Sequence, residues 1–420
     1  MYPFLLGLLF IFFTFICWRE PKYGLCLIAF GLPTYLLRFD ILKIPMTFLE
    51  GMILILAIVA LTKQPHSFLH AWKTLPLPWK IFTIGSLVTA TIALLPAPNV
   101  LAGFGVWKAY FVEPIILFFL VRVLVRDQKN LSSLFVALGC GALLTALFAI
   151  VQWMFQIGIP VPWDIERRVT SFFPYPNAVG LYLGPLILMG IFAGRQAWQS
   201  QNKKQFVFWM VAAFLSGVAI ILAQSEAAIL AVTITLFLLS LASKFWRKIS
   251  LPLAVLVIIP IVLIPSARTF IFQKLTLQDY SGSVRLTQWE ETWELLKDHP
   301  IVGAGLAGYP TALVPYHTHT YIEIFQYPHH IIFNTWVELG ILGIILLLYL
   351  GYLLIRAIPR VRHSWVGILC LAIFFEMLIH GLVDVPYFKN DLSVLVWMFF
   401  ALLLFSYDSK PHLASSSDHA

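Results

Sequence analysis

A chain of 420 residues that is 60% hydrophobic and only 11% charged, with a mean hydropathy of +0.87, carries too few charges to cover a wetted surface and is not a water-soluble globule. Its net charge of +8 is scattered over short loops rather than gathered in a stripe, which argues against a nucleic-acid interface. The four cysteines, Cys17, Cys26, Cys140 and Cys370, all lie in apolar runs, which argues against a disulfide framework or a cysteine metal site.

Apolar runs recur from end to end, near 4–18, 23–38, 45–62, 79–95, 107–125, 131–157, 178–194, 206–223, 226–243, 249–265, 331–355, 364–382 and 391–407. A helical span needs about 20 mostly apolar residues, and only a backbone with closed hydrogen bonding survives in lipid. The expected fold is therefore all-α: a polytopic transmembrane helical bundle of about 11–13 spans. The first run has no basic n-region and no small-residue cleavage site, so it reads as a membrane helix. Residues 1–407 form one transmembrane domain, and 408–420, with Ser415-Ser416-Ser417, read as a disordered cytoplasmic tail. Lys and Arg cluster in alternate loops, as in Arg122, Arg126 and Lys129 or Lys244, Arg247 and Lys248. The positive-inside rule makes those loops cytoplasmic. It leaves 96–106, 158–177, 224–225, 266–330 and 383–390 on the outer side.

Taken in order, the outer segments carry the residues able to do chemistry. Segment 158–177 holds Arg167 and Arg168. Glu226 opens the span after Gln224-Ser225. Segment 266–330 is a large loop, and loops of that length without a role are uncommon. Within it, Val284, Trp289, Trp293 and Leu296 set out an apolar stripe, which predicts an amphipathic helix. Ser283 is the expected N-cap, and Asp298-His299-Pro300 ends the helix. Glu290, Glu291 and Glu294 fall on its other faces, so it is expected to lie at the outer membrane surface.

Arg285 falls in the first turn of that helix, where free N–H groups and a guanidinium fork suit a phosphate or pyrophosphate; a solvated arginine is the plain alternative. His329 closes the loop in Tyr327-Pro328-His329-His330, and an imidazole suits general acid–base work near neutral pH. His317, His319, His329 and His330 match no strong zinc spacing, so no metal is expected. His380 and Asp384, four residues apart at the last outer helix end, are placed to share one face. Glu113 and Glu338 lie inside spans, where acids are partnered or functional. Gly303, Gly305 and Gly308 fit G-x-G-x-x-G without a βαβ unit, and read as a tight turn.

Three ordered stretches resemble the O-antigen ligase and polymerase superfamily, membrane glycosyltransferases of the GT-C type. They are Arg168-Val169-Thr170-Ser171-Phe172 with Pro176-Asn177; Arg285 to Trp289 with Pro300 and Gly303-Ala304-Gly305; and Tyr327-Pro328-His329-His330 through Glu338-Leu339-Gly340. The resemblance covers roughly 165–345. It implies transfer of a glycan from an undecaprenyl-diphosphate carrier to an acceptor hydroxyl on a lipid core, a growing glycan or a protein. The reaction would run at the periplasmic face of the inner membrane, without cofactor or metal. His329 would be the base or orient the acceptor, and Arg285 would bind the diphosphate. Arg167, Arg168, Asn177, His330, Glu226, His380 and Asp384 are the further candidates for holding donor or acceptor. The chain has His329-His330 where the family usually has His-Asn, and Ser225-Glu226-Ala227 where it often has Ser-Arg-Gly. Either Arg167 or Arg168 replaces that missing arginine, or the donor differs. Two other readings stay open: a transporter or flippase of lipid-linked sugars, and a non-catalytic envelope scaffold.

Overall fold

The computed structural model describes residues 2–41 and 44–408. The tail expected over 408–420 falls, from 409 onward, outside them. In chain order the helices are α1 (Tyr2–Arg19), α2 (Pro21–Phe30), α3 (Phe48–Lys63), α4 (Pro65–Thr74), α5 (Leu77–Ile92), α6 (Val100–Trp107), α7 (Glu113–Leu124), α8 (Gln128–Phe155), α9 (Asn177–Gln199), α10 (Lys203–Leu222), α11 (Glu226–Leu241), α12 (Lys244–Leu263), α13 (Pro265–Leu275), α14 (Tyr280–Asp298), α15 (Tyr309–Leu313), α16 (Ile331–Val361), α17 (Trp365–His380) and α18 (Asn390–Asp408). A π-turn over Lys108–Val112 joins α6 to α7 in one continuous rod.

Among the described residues seven helices are long and apolar enough to cross a bilayer. Five further apolar helices are 10–17 residues long, and α3 with α4 would make one more span but for a 100° bend between them. The all-α bundle is as expected. A count of 11 to 13 is reached only by counting the short helices as spans. Strands β1 (Arg38–Ile41) and β2 (Ile44–Thr47) pair antiparallel, Arg38 opposite Thr47, where hydropathy predicts only the consecutive spans 23–38 and 45–62. Thr47 then caps α3 in a capping box with Glu50.

Burial is uneven. The apolar windows of α9 and α18 are 83% and 89% buried, while that of α12 is 0% buried. Helix α9 is central because small residues let its neighbours approach closely. Gly184 lies against the Glu376 carboxylate, Gly190 against Ala213, and Gly194 against Met210.

The segments expected outside meet at one end of the bundle. Val169 N–H donates to Leu222 O at 3.4 Å, Leu306 N–H to Ala93 O at 3.1 Å, and Ile331 N–H to Gly381 O at 2.7 Å. Two basic segments meet elsewhere, with Arg126 donating to Gln64 and Ser67.

Helix α16 is broken at Gly340 (φ 65°, ψ −163°). The break exposes backbone that segment 301–307 uses. Ala304 N–H donates to Val337 O at 2.8 Å, and Ile341 N–H to Ile301 O at 2.9 Å. Ala307 N–H donates to the Glu338 carboxylate at 2.7 Å, so this intramembrane acid ties loop to helix. The other, Glu113, accepts from Asn390 Nδ2 at 3.2 Å. The glycine-rich turn is thus a seat on the helix break. That backbone region is open essentially to glycine alone, and a Cβ at Gly340 would run into Ile301 O. Gly340→Ala is expected to destabilise the chain by about 1–3 kcal/mol, read as a lower thermal unfolding midpoint in detergent. An unchanged midpoint would mean that the break carries no strain.

Candidate active site

His329 and Arg285 converge on one short loop. Helix α17 ends at His380, and Asp384 N–H turns back to His380 O at 3.1 Å. Because Ile331 N–H at the start of α16 bonds Gly381 O at 2.7 Å, the residue two before it, His329, falls beside this loop. Its Nδ1 lies 3.3 Å from Asp384 Oδ1, while Arg285 Nε donates to Val383 O at 3.0 Å. Histidine and arginine are therefore tied to adjacent residues of one backbone. His329 adopts a left-handed conformation (φ 48°) and is boxed by the rings of Phe325 and Tyr327. A non-glycine residue held there marks a position that the surroundings over-determine. Asp384 is fully buried, so its carboxylate fixes the orientation of the imidazole and stabilises it when protonated. Nε2 makes no hydrogen bond to the described residues.

Arg168 joins from segment 158–177. It donates to Ala223 O at 3.2 Å and to Asn177 Oδ1 at 3.3 Å, and stacks over Trp163 at 5.1 Å. Burial lowers its pKa, helped by the like charge of Arg285 and opposed by Glu166 and Glu226. The two guanidiniums thus lie within electrostatic reach of each other. Asn177 orients Arg168. Glu226 is exposed and held by Lys274 at 2.8 Å. Arg167 is exposed, and its φ is 52°. His380 is buried against Glu376, Nδ1 to Oε1 3.4 Å, directly behind Asp384.

The amphipathic helix differs from its expected form. It begins at Tyr280 with Asp279 as N-cap, not Ser283, whose hydroxyl instead bonds Tyr280 O at 2.8 Å. Arg285 therefore sits in the second turn, away from free N–H groups, and bonds Ser281 Oγ at 2.7 Å instead. The face turned inward is Gln288, Glu291, Thr292, Leu295 and Leu296, more polar than the stripe read from the sequence. Glu291, expected on another face, is buried and gathers His317 Nδ1 at 3.0 Å and Thr318 N–H at 2.9 Å. Burial pushes its carboxyl up, but these bonds outweigh it and the pKa falls. Trp289 meets protein rather than headgroups alone, donating to Pro328 O at 2.8 Å and packing on His330. His330 caps α16, its Nδ1 accepting from Ile332 N–H at 3.2 Å, and burial lowers its pKa. Of the four loop histidines, His317 and His319 thus share the Glu291 carboxylate, while His329 turns to Asp384 and His330 to the start of α16. Among the described residues no three of His, Cys, Asp or Glu are grouped to hold a metal ion.

The structure adds groups that the sequence reading missed. Lys389 is buried, 4.2 Å from the Phe173 ring centroid and 3.6 Å from Asp391. Burial lowers its pKa, against the pull of Asp391 and Asp384. Tyr327 shares a hydrogen bond of 2.9 Å with Tyr175, joining two outer segments beside His329. The charged run Lys389-Asn390-Asp391 was the available signal. At a span edge it reads as snorkelling charge, whereas here it is folded inward.

Burial alone would push the Asp384 carboxyl up. The His329 hydrogen bond, the charges of His329 and His380 and the Val385 N–H hold it at about 2, below its ordinary 3.8. A depressed folded pKa gives stability that is complete above 3.8 and lost as pH falls through about 2. The wild type is thus expected to lose its unfolding-midpoint advantage over Asp384→Asn as the pH falls from about 4 to about 2. An advantage unchanged across that range would show that the carboxylate is not held ionised.

A family model described as O-Antigen ligase matches residues 211–348. The stretch runs from the middle of α10 to the middle of α16, and it includes Glu226, Arg285 and His329 but not Arg168 or Asp384. No curated protein matches the chain.

Proposed function

We propose that this chain, whose residues 211–348 match a family model described as O-Antigen ligase, transfers a glycan from a lipid diphosphate to an acceptor hydroxyl. At the coarser level it is a multi-pass membrane protein with an O-antigen ligase-type domain. The finer reading rests on one observation: the imidazole and the guanidinium are anchored to neighbouring residues, Asp384 and Val383.

In this reaction the acceptor oxygen attacks the anomeric carbon and its proton passes to His329 Nε2. The bond from that carbon to the diphosphate oxygen breaks, and the leaving oxygen keeps the electron pair. Asp384, at Nδ1, stabilises the imidazolium. Arg285 and Arg168 neutralise the charge that grows on the leaving diphosphate. A single displacement inverts the anomeric centre. The donor is an undecaprenyl-diphosphate glycan, the membrane is the inner membrane, and the site faces the periplasm. The single transmembrane domain over 1–407 holds the outer segment 266–330, which carries Arg285 and His329.

Purified full-length protein in liposomes, given a lipid-diphosphate glycan and a hydroxyl acceptor, is expected to form the glycosidic product with no other protein present. Movement of the donor across the bilayer without product would instead identify a transporter and overturn the enzyme reading.

A further inference from the structure

A second feature lies at the far end of the bundle. Helix α4 turns 100° from α3, and between it and the ends of α7 and α18 opens a cavity of about 890 Å³. Helix α18 carries Asn390 at one end and Phe405, which lines this cavity, near the other. Fifteen residues of helix put roughly 22 Å between them, so the cavity is separate from the loop that bears Asp384.

Four basic side chains line it: His66 and His70, one turn apart on α4, Arg122 in the last turn of α7, and Arg126 just beyond it. Arg126 donates to Val123 O at 2.8 Å, Gln64 Oε1 at 2.9 Å and Ser67 Oγ at 2.7 Å, all neutral acceptors. Arg122 donates to Thr74 Oγ1 at 3.3 Å. The carboxylate in the lining, Asp127, is turned to the start of α8, accepting from Asn130 N–H at 2.7 Å. The lining also holds apolar Ala71, Val121, Ala401 and Phe405. Lys73 and Lys80 stand nearby, the ammonium of Lys80 bonding Lys73 O at 3.2 Å.

We propose that this cavity binds the phosphate group of an anionic membrane lipid, with the acyl chain against the apolar residues of the lining. Arg126 Nη1 makes none of the bonds to Val123, Gln64 and Ser67 and supplies donors for phosphate oxygens. The imidazoles of α4 close the site from the surface, at the depth where an amphipathic helix meets headgroups. Basic pockets between spans on the cytoplasmic side suit such headgroups. The positive-inside expectation puts this end there.

The test uses the full-length protein, released from detergent with equimolar phosphatidylglycerol and phosphatidylcholine, and counts retained lipids by native mass spectrometry. Wild type is expected to retain the first phosphatidylglycerol with about tenfold preference or more. His66→Glu with His70→Glu, both at exposed positions, is expected to bring the preference to about parity, as is Arg126→Gln. Unfolding midpoints in phosphatidylcholine alone report whether each variant is folded. Equal retention of the two lipids by wild type overturns the proposal, and so does an unchanged preference in both folded variants. If inorganic phosphate raises the midpoint as much as phosphatidylglycerol does, the site reads free phosphate and the lipid assignment falls.

Discussion

Removal of the His329 imidazole is expected to lower glycan transfer about 100- to 10,000-fold, the usual range for a positioned acid–base group. His329→Ala tests this directly, but the left-handed backbone there (φ 48°) disfavours alanine as well. His329→Asn is the cleaner variant, because asparagine tolerates that conformation. Both are expected to reduce kcat with little change in the KM for donor, since the imidazole acts on the proton in flight and not on the diphosphate. Asp384→Asn should fall between them and wild type, because it keeps the ring but loses the charge that stabilises the imidazolium. Transfer within a few-fold of wild type in His329→Asn, with normal expression, would remove the histidine from the reaction.

Arg285→Ala is expected to cost about 100- to 1,000-fold in kcat/KM, as for loss of one preorganised donor to a developing anion. Arg285→Lys should recover little. A lysine cannot keep the bonds to Val383 O and Ser281 Oγ and still offer a planar fork to phosphate. Because Arg285 also pins the loop before Asp384, lost activity alone would not separate binding from scaffolding. Inhibition by inorganic pyrophosphate separates them. It should weaken markedly in Arg285→Ala and Arg168→Ala and persist in His329→Asn. Pyrophosphate inhibition of equal strength in all four proteins would show that neither arginine meets the diphosphate.

Much of this was legible in the chain. The apolar runs gave the bundle, and alternating basic loops sorted its connections so that the outer segments met at one end. Arg168, Arg285 and His329 were visible as chemistry-bearing residues in polar segments, where no packing demand explains them. What stayed hidden depended on tertiary context. The strands at 38–41 and 44–47 are four residues each, too short to leave a periodicity distinct from helix. Asp279 and Ser283 are both good caps, and only packing selects the earlier one. Glu291 reads as a solvated acid on an amphipathic helix until His317 and Thr318 fold over it. Lys389 was missed for the same reason: a lysine next to a span is ordinarily a surface residue, and its aromatic box of Phe173, Tyr35 and Tyr175 comes from distant parts of the sequence.

Helix α12 has no buried residue. A rod that buries so little against its neighbour, α11, is held to length and oiliness more than to shape, so exchanges among Leu, Ile, Val and Phe between 249 and 264 should pass almost unnoticed. Its register is fixed from beyond its end, where Lys274 fastens α13 to Glu226 and Asp279. Homologous chains should therefore drift freely along this rod while keeping the charges that moor it, the reverse of α9, where each glycine is measured against a neighbour.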